Sequence, residues 1–265
     1  MHGACDWQSE YDEQGFVVLK SILPAATVAA ARDAYDVLSK TAPTSIGISD
    51  RPTLVFWHHA KGGFKRYLYL DDVPGFANLV NHPAILAPVT RLCGGKVRLL
   101  ETIVFNKPPG DGLPLAWHQD ASFYPLSGGV QISASVMLDP ADESNGTIAF
   151  AVGSQRSAAM SAVDLLSGAP RIGDQRPIPN DPAAAGYTVV APKLEPGDVI
   201  LFGSQVWHGS GPNRTTDRPR RLFSIRYISL DTCYRPVPGN AATFMAQITS
   251  AENEPLEGSP FPILG

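Results

Sequence analysis

Three residues of the chain have the types and the spacing of a metal site. His118 and Asp120 stand two apart in the aromatic stretch PLAWHQDASFYPL (114–126). In a β-strand, residues i and i+2 lie on the same face, so the imidazole and the carboxylate can point to one place. His208 closes the apolar run in EPGDVILFGSQVWH, and we predict it at the end of a late core strand. Two imidazoles and one carboxylate leave one face of an octahedral iron open; the same set also suits zinc.

The other histidines have simpler interpretations. His2 is terminal, and His58 and His59 are adjacent, so they would point apart in regular structure. His82 precedes Pro83 at a predicted helix start. We interpret these four as solvated or capping residues, which leaves His208 as the partner for the earlier pair.

Two adjacent arginines, Arg220 and Arg221, follow His208 along the chain. After the bend GSGPNRTTDRP the chain returns as RRLFSIRYI, which is an antiparallel neighbour of the preceding strand if the two form a hairpin. Alternation puts Arg220 and Ser224 on one face and Arg221 and Phe223 on the other, and periodicity alone does not say which face is inward. A guanidinium near an open metal face can bind a dicarboxylate with two parallel hydrogen bonds.

The pattern of elements predicts a mainly β protein with flanking helices. The stretch 24–40 has helical spacing, the stretch 82–95 starts near proline and ends at glycine, and 51–67 is interpreted as an irregular surface segment. From residue 96, short β-branched and aromatic runs alternate with turn residues, and their irregular spacing favours a jelly roll. We predict one domain over 1–265, with a helical part at 1–95, a jelly-roll core at 96–230 and a C-terminal tail at 231–265.

Composition limits the partners. The net charge is −4 and no long Lys/Arg run occurs, so nothing indicates nucleic-acid binding. No apolar run approaches the roughly 20 residues of a membrane span. Three widely spaced cysteines form neither a disulfide framework nor a zinc pattern. We expect a cytoplasmic protein with a small-molecule substrate, no nucleic-acid or membrane partner, and a monomeric or homodimeric state.

The order of motifs resembles one enzyme family. The stretches ETIVFNKPPGDG, WHQDASFYPL, SNGTIAFAVGS, EPGDVILFGSQVWHGSGPN and RPRRLFSIRY resemble the phytanoyl-CoA dioxygenase family of Fe(II)/2-oxoglutarate-dependent oxygenases, from about residue 8 to about residue 230. The resemblance implies a double-stranded β-helix of the cupin-like, jelly-roll kind. Where the family often has Pro-Gly-Ser-His, this chain has Val152-Gly153-Ser154-Gln155.

By position, the resemblance implies that His118, Asp120 and His208 are iron ligands. It implies that Arg220 binds the distal carboxylate of the co-substrate 2-oxoglutarate, with Arg221 as the alternative. The further candidates for co-substrate contact are Ser210 and Ile103.

The activity implied is oxidation of a small organic molecule with Fe(II), O2 and 2-oxoglutarate, and we expect a role in secondary metabolism. Hydroxylation is the default, and the same oxidising chemistry can cyclise, desaturate or epimerise. Two other classes stay open: a jelly-roll metalloenzyme that uses no 2-oxoglutarate, and a non-catalytic binding module. Phe123, Tyr124 and Trp57 are candidate substrate contacts, although core packing explains such aromatic residues almost as well.

Overall fold

Two antiparallel sheets face each other in this protein, and helices cover the outer face of the larger sheet. The computed structural model describes side chains at 6–40, 73–110, 114–157, 181–235, 248–257 and 261–265, and the backbone alone at 46–47, 52–53, 55–58 and 64–68. The arrangement is the predicted jelly roll.

The described part of the first ninety-three residues contains four helices: α1 (Trp7–Gln14), α2 (Ala25–Lys40), α3 (Ala77–Val80) and α4 (Pro83–Cys93). Helix α2 buries one stripe of side chains at spacings of three and four, as its sequence predicts: Val28, Ala31, Tyr35 and Leu38. His82 caps α4, since its Nδ1 accepts a hydrogen bond from the Ala84 N–H at 3.3 Å. The capping role predicted for His82 is confirmed.

The strands of the described part of the chain are short, apart from two long central ones. The first eight are β1 (Phe16–Leu19), β2 (Ile46–Gly47), β3 (Pro52–Thr53), β4 (Val55–His58), β5 (Phe64–Leu68), β6 (Val97–Lys107), β7 (Leu115–His118) and β8 (Leu126–Ser127). The others are β9 (Gln131–Met137), β10 (Ile148–Ala151), β11 (Val189–Val190), β12 (Val199–Gly203), β13 (His208–Ser210), β14 (Arg220–Ser229), β15 (Cys233–Tyr234) and β16 (Ile263–Leu264).

The strand order divides the jelly roll into a larger and a smaller sheet. Within the described residues, the larger sheet runs β1-β12-β9-β14-β6-β5-β4, with β16 added beside β6. The smaller sheet runs β11-β10-β13-β7. Short pairs join β15 to β8 and β2 to β3. An apolar cluster that contains Phe150 from the smaller sheet and Phe202 and Leu222 from the larger one fills the space between them.

Strand β14 shows which face is inward. Phe223, Ile225 and Tyr227 join the cluster that packs the larger sheet against the helices. The alternate side chains, from Arg220 to Arg226, therefore lie on the inner face, toward the smaller sheet.

Three sequence-based expectations are corrected by the topology. The described part of 51–67 is not irregular, because β4 pairs antiparallel with β5 and β5 pairs with β6, which extends the larger sheet. The stretch DVILFGSQVWH is not one strand: it turns after Gly203, and β13 begins at His208 in the other sheet. Val206 and Trp207, which directly precede β13, are buried and apolar, so the apolar run of the sequence extends past the break.

The predicted hairpin between the His208 strand and the Arg220 strand is also absent. Strand β13 pairs with β10 and β7, whereas β14 pairs with β6 and β9. His208 and Arg220 thus belong to opposite sheets, and they meet across the interior instead of along a ladder.

Candidate metal centre and co-substrate pocket

His118, Asp120 and His208 converge in the interior between the sheets. His118 ends β7 and His208 begins β13, and the two residues are direct partners in the antiparallel ladder. Asp120 lies just past the strand, at the start of a 3₁₀ turn over Asp120–Phe123. One ligand atom from each residue lies within 4.8 Å of the others, and all three residues are buried.

The position of Asp120 corrects the expectation of a single strand that carries both earlier ligands. The chain leaves the strand at Gln119, whose side-chain Nε2 donates to the Gln205 carbonyl at 2.7 Å. The Ala121 N–H donates to the Ser204 carbonyl at 2.9 Å. These bonds tie the turn to the segment that leads into β13, so the carboxylate is placed by the turn.

Both imidazoles present an unprotonated nitrogen toward the carboxylate. The Nδ1 of His118 lies 2.7 Å from the Ala116 carbonyl, and the Nδ1 of His208 lies 3.0 Å from the Val206 carbonyl. A carbonyl can only accept, so Nδ1 carries the proton and Nε2 is free to bind a metal. The two Nε2 atoms lie 3.7 and 3.6 Å from Oδ1 of Asp120.

Burial keeps both histidines neutral. Burial, and then the neighbouring His208, lower the pKa of His118 to about 3, and burial lowers the pKa of His208 as well. Neutral imidazole is the form that ligates metals.

Asp120 is held as a carboxylate by a buried arginine. The Nη1 of Arg226 donates to Oδ2 at 2.9 Å, its Nη2 donates to Oδ1 at 3.1 Å, and the Ser133 hydroxyl donates to Oδ2 at 2.8 Å. Burial alone would raise the pKa of Asp120, but Arg226, the two histidines and Ser133 outweigh it and bring it to about 2. The carboxylate is therefore ionised at neutral pH.

Glu101 and Tyr124 also hold the Arg226 guanidinium in place. Its Nε donates to Oε1 of Glu101 at 2.9 Å, and the Tyr124 hydroxyl forms short hydrogen bonds with both groups. Arg226, Glu101 and Tyr124 are all buried. These three residues, which we call the Arg226 network, fix the orientation of the Asp120 carboxylate.

Sequence reasoning missed Arg226 and Glu101, although a signal was present. The alternation that puts Arg220 and Ser224 on one face of β14 continues to Arg226. A charged residue inside an apolar strand needs a buried partner, and Asp120 is one of the few available.

A small cavity opens beside the triad, between the two sheets. His118 and His208 line it from the smaller sheet, and Arg220 and Arg226 line it from the larger one. The apolar part of the wall consists of Phe105, Leu115, Ile148, Phe202 and Leu222.

Arg220 offers a free hydrogen-bond donor to this cavity. Its Nε donates to the Gly146 carbonyl at 2.9 Å, while its buried Nη1 has no partner among the described residues. Burial lowers the pKa of this guanidinium to about 10, so it stays charged at neutral pH. Arg221 instead lies on the outer face, where its Nε and Nη2 each donate to Asp139 at 2.8 Å.

The other predicted contacts are placed as follows. Ser210 lines the cavity, and Ile103 is the ladder partner of Ser224, which also lines it. Phe123 is half-buried and stands edge-on to His118, with ring centroids 5.4 Å apart. Tyr124 belongs to the Arg226 network. Trp57 lies in β4, and its side chain is outside the described part of the chain.

The residues present fit a divalent metal that leaves room for further ligands. Two neutral imidazoles and one ionised carboxylate form the donor set of non-haem iron oxygenases, and the cavity adjoins these ligands. Arg220, whose buried Nη1 has no partner among the described residues, makes this cavity suitable for an anion.

Comparison with known proteins gives a consistent result. The family model described as phytanoyl-CoA dioxygenase matches residues 11–222. A probable alpha-ketoglutarate-dependent hypophosphite dioxygenase of Stutzerimonas stutzeri is 28% identical over 240 residues, covering 84% of this chain and 78% of the relative. The human peroxisomal phytanoyl-CoA dioxygenase is 22% identical over 242 residues, covering 87% of this chain and 70% of the relative.

A solved structure shares the whole fold. The non-haem alpha-ketoglutarate-dependent carbocyclase SnoK from nogalamycin biosynthesis superposes with a TM-score of 0.77 at 22% identity, covering 100% of this chain and 97% of its own. At that identity the likeness shows the fold. No helix in the described part of our chain has the length and apolarity to cross a membrane.

Proposed function

The chain belongs to the phytanoyl-CoA dioxygenase family, and we propose that His118, Asp120 and His208 are its iron ligands. It is an Fe(II)/2-oxoglutarate-dependent dioxygenase. The observation that carries the ligand assignment is the meeting of two Nε2 atoms and one carboxylate oxygen beside a cavity with cationic walls.

An iron ion held by His118, Asp120 and His208 would supply the oxidising chemistry of the family, in which 2-oxoglutarate and O2 are consumed and succinate and CO2 are released. The residues of this chain prepare the site. His118 and His208 present neutral nitrogens, and Asp120 brings one negative charge that Arg226 holds in place.

We assign Arg220 to the distal carboxylate of 2-oxoglutarate. Its buried Nη1 lacks a partner among the described residues, and its pair Arg221 is already bound to Asp139 on the other face. Ser210 supplies a hydroxyl to the same cavity, and Ile103 is the ladder partner of Ser224, which also lines it. Apolar side chains such as Phe105 and Leu222 exclude water around these charges, which strengthens the interaction.

The substrate that we propose is a small, partly apolar organic molecule, and the default outcome is hydroxylation. The edge-on contact of Phe123 with His118 supports its role as a substrate contact. A role in secondary metabolism is supported by the origin of the neighbour SnoK in nogalamycin biosynthesis. Trp57 remains a predicted contact.

The test is succinate production from 2-oxoglutarate with Fe(II), with and without candidate substrates. His118→Ala and His208→Ala should each abolish turnover and reduce iron occupancy while circular dichroism stays native. His82→Ala is the matched control, because His82 caps α4 away from the site. Full activity in either triad variant, or turnover with Zn(II) and without 2-oxoglutarate, would remove the assignment.

A further inference from the structure

Lys107 is a fully buried lysine at the end of β6, and the proposed reaction does not use it. Its Nζ donates to Oγ of Ser210 at 2.7 Å and to the Ser210 carbonyl at 3.3 Å. It also forms a short hydrogen bond with the Gly211 carbonyl. Burying an ammonium group costs free energy unless the group is paired, so a lysine at this buried position needs a physical explanation.

A second cation lies next to it. Lys107 and Arg220 are ladder partners on β6 and β14, and their side chains are both buried. Among the residues that the structure describes, no carboxylate forms an ion pair with either one. Arg220 lines the cavity, and Lys107 lies beside it and is bonded to Ser210, which also lines the cavity. This part of the site therefore has two basic groups without a contacting anion, which is complementary to a bound carboxylate.

The contacts of Lys107 determine what Ser210 can do. The two carbonyls can only accept hydrogen bonds, and an ammonium group can only donate them. When Lys107 is charged, the Ser210 oxygen must accept from it, so the single hydroxyl proton of Ser210 is left to point elsewhere. Ser210 lines the cavity, so its hydroxyl can donate this proton in a hydrogen bond to a group bound there.

The bound anion itself favours the charged form. Burial, and then the charge of Arg220, lower the pKa of Lys107 to about 6. A carboxylate beside Arg220 offsets the guanidinium charge and attracts the ammonium group, so the pKa of Lys107 rises on binding.

The surroundings leave Lys107 little freedom to move. The φ of Gly146 is +81°, and a Cβ there would lie 2.5 Å from the Gly211 carbonyl oxygen and 3.3 Å from the lysine Nζ. On the other side, the Asn213 side chain donates to the Lys107 carbonyl at 3.0 Å. The end of β6 and the loop after β13 are thus tied together at two points.

We propose that Lys107 is a positioning residue for the co-substrate: it directs the Ser210 hydroxyl into the cavity and adds a second positive charge beside Arg220, so that the Ser210 hydroxyl and the Arg220 guanidinium bind the distal carboxylate of 2-oxoglutarate. This inference rests on the proposed function of the cavity. It adds a residue that acts through Ser210 and not through the iron ligands.

The experiment measures binding of 2-oxoglutarate to the Mn(II)-loaded protein by calorimetry. Lys107→Met keeps the length of the side chain and removes its donors. It should raise the Kd for 2-oxoglutarate by about ten- to a hundredfold, the range of one charge-assisted hydrogen bond. In turnover with Fe(II), KM for 2-oxoglutarate should rise while kcat at saturation stays within about twofold, since the metal ligands are untouched.

Coupling to Ser210 distinguishes positioning from simple support of the fold. Ser210→Ala removes the hydroxyl on which Lys107 acts, so Lys107→Met should have a clearly smaller effect in that background. An equal effect in both backgrounds, an unchanged Kd, or parallel losses of Mn(II) affinity and thermal stability would each overturn the proposal.

Two further variants complete the design. Lys20→Met is the matched control, because Lys20 also donates to a backbone carbonyl, that of Lys193 at 2.8 Å, at the outer edge of the larger sheet. It should leave the Kd for 2-oxoglutarate unchanged. If Lys107→Met does not fold, Lys107→Gln replaces it, and native binding by that variant contradicts the proposal. Failure of the unmodified protein to bind 2-oxoglutarate would instead contradict the proposed function.

Discussion

Replacing Arg226 by methionine should both destabilise the protein and weaken metal binding. The substitution keeps the apolar stem of the side chain and removes the guanidinium that binds both oxygens of Asp120 and one oxygen of Glu101. Two buried carboxylates would then share the interior without a counter-charge, and Ser133 would be the only one of the described donors to Asp120 that remains.

The magnitude follows from the burial of the pair. Removing one partner from a buried, hydrogen-bonded charge pair costs about 3–5 kcal/mol. Both side chains are at most 10% exposed, so solvent screens the interaction little. For a chain of this size, 1 kcal/mol corresponds to about 2 °C in melting temperature, so the metal-free variant should melt about 6–10 °C lower.

Metal affinity should also become dependent on pH. In the native protein the pKa of Asp120 lies at about 2, so the carboxylate is ionised throughout the neutral range. Arg226 is the strongest influence that lowers the pKa of Asp120. Without it, burial dominates and raises that pKa. Below the new pKa, metal must displace a proton, so the Kd should increase about tenfold for each pH unit of acidification.

The assay is Mn(II) binding by calorimetry at pH 8, 7 and 6, together with thermal unfolding of the metal-free protein. Arg221→Met is the matched control, because Arg221 binds Asp139 on the outer face of the same strand. That variant should lose stability while its Mn(II) affinity keeps the native pH profile. A native melting temperature and a flat Mn(II) profile in Arg226→Met would refute the role of the Arg226 network.

Three other changes have defined outcomes. Arg220→Ala should raise KM for 2-oxoglutarate at least about thirtyfold, because it leaves a desolvated carboxylate unpaired. Arg221→Ala should leave KM unchanged. The reverse result in steady-state kinetics would exchange the roles of the two arginines. Tyr124→Phe should lower the free energy of unfolding by about 1–3 kcal/mol, since it leaves the buried Glu101 carboxylate with one donor fewer. An unchanged ratio of product to succinate in this variant would argue against a substrate contact of Tyr124. Asp198 accepts hydrogen bonds from the backbone N–H of Glu195 and from Lys20. Against the effect of burial, these lower its pKa, so its stabilisation is complete above the ordinary aspartate pKa and is lost as the pH falls through the folded value. Asp198→Asn should therefore flatten the acid limb of a denaturation series, and an identical limb would contradict this account.

Local pattern was sufficient for the elements of the fold. The stripe from Val28 to Leu38 predicted which face of α2 is buried, and the apolar run 97–107 predicted β6, because helix and strand periodicities are properties of neighbouring residues. The residue types of His118, Asp120 and His208 also limited the chemistry to a small set of metals before any fold was known.

The sequence could not reveal where the chain changes sheets. Gly203 ends one strand and His208 begins another, but the buried, apolar Val206 and Trp207 directly precede His208, so the apolar run of the sequence extends past the break. The inward face of β14 was also undecided, since every second residue is buried by helices on one side and by the smaller sheet on the other.

Contacts between distant segments decided the rest of the site. Arg226 meets Asp120 across 106 positions of sequence, and Lys107 meets Ser210 across 103. Such pairs carry no local signature, because their spacing along the chain is set by the loops between sheets and not by a helical or strand repeat. The residue types of a metal site can thus be recognised from sequence, whereas the charges that hold its ligands and its co-substrate in place depend on which strands the jelly roll brings face to face.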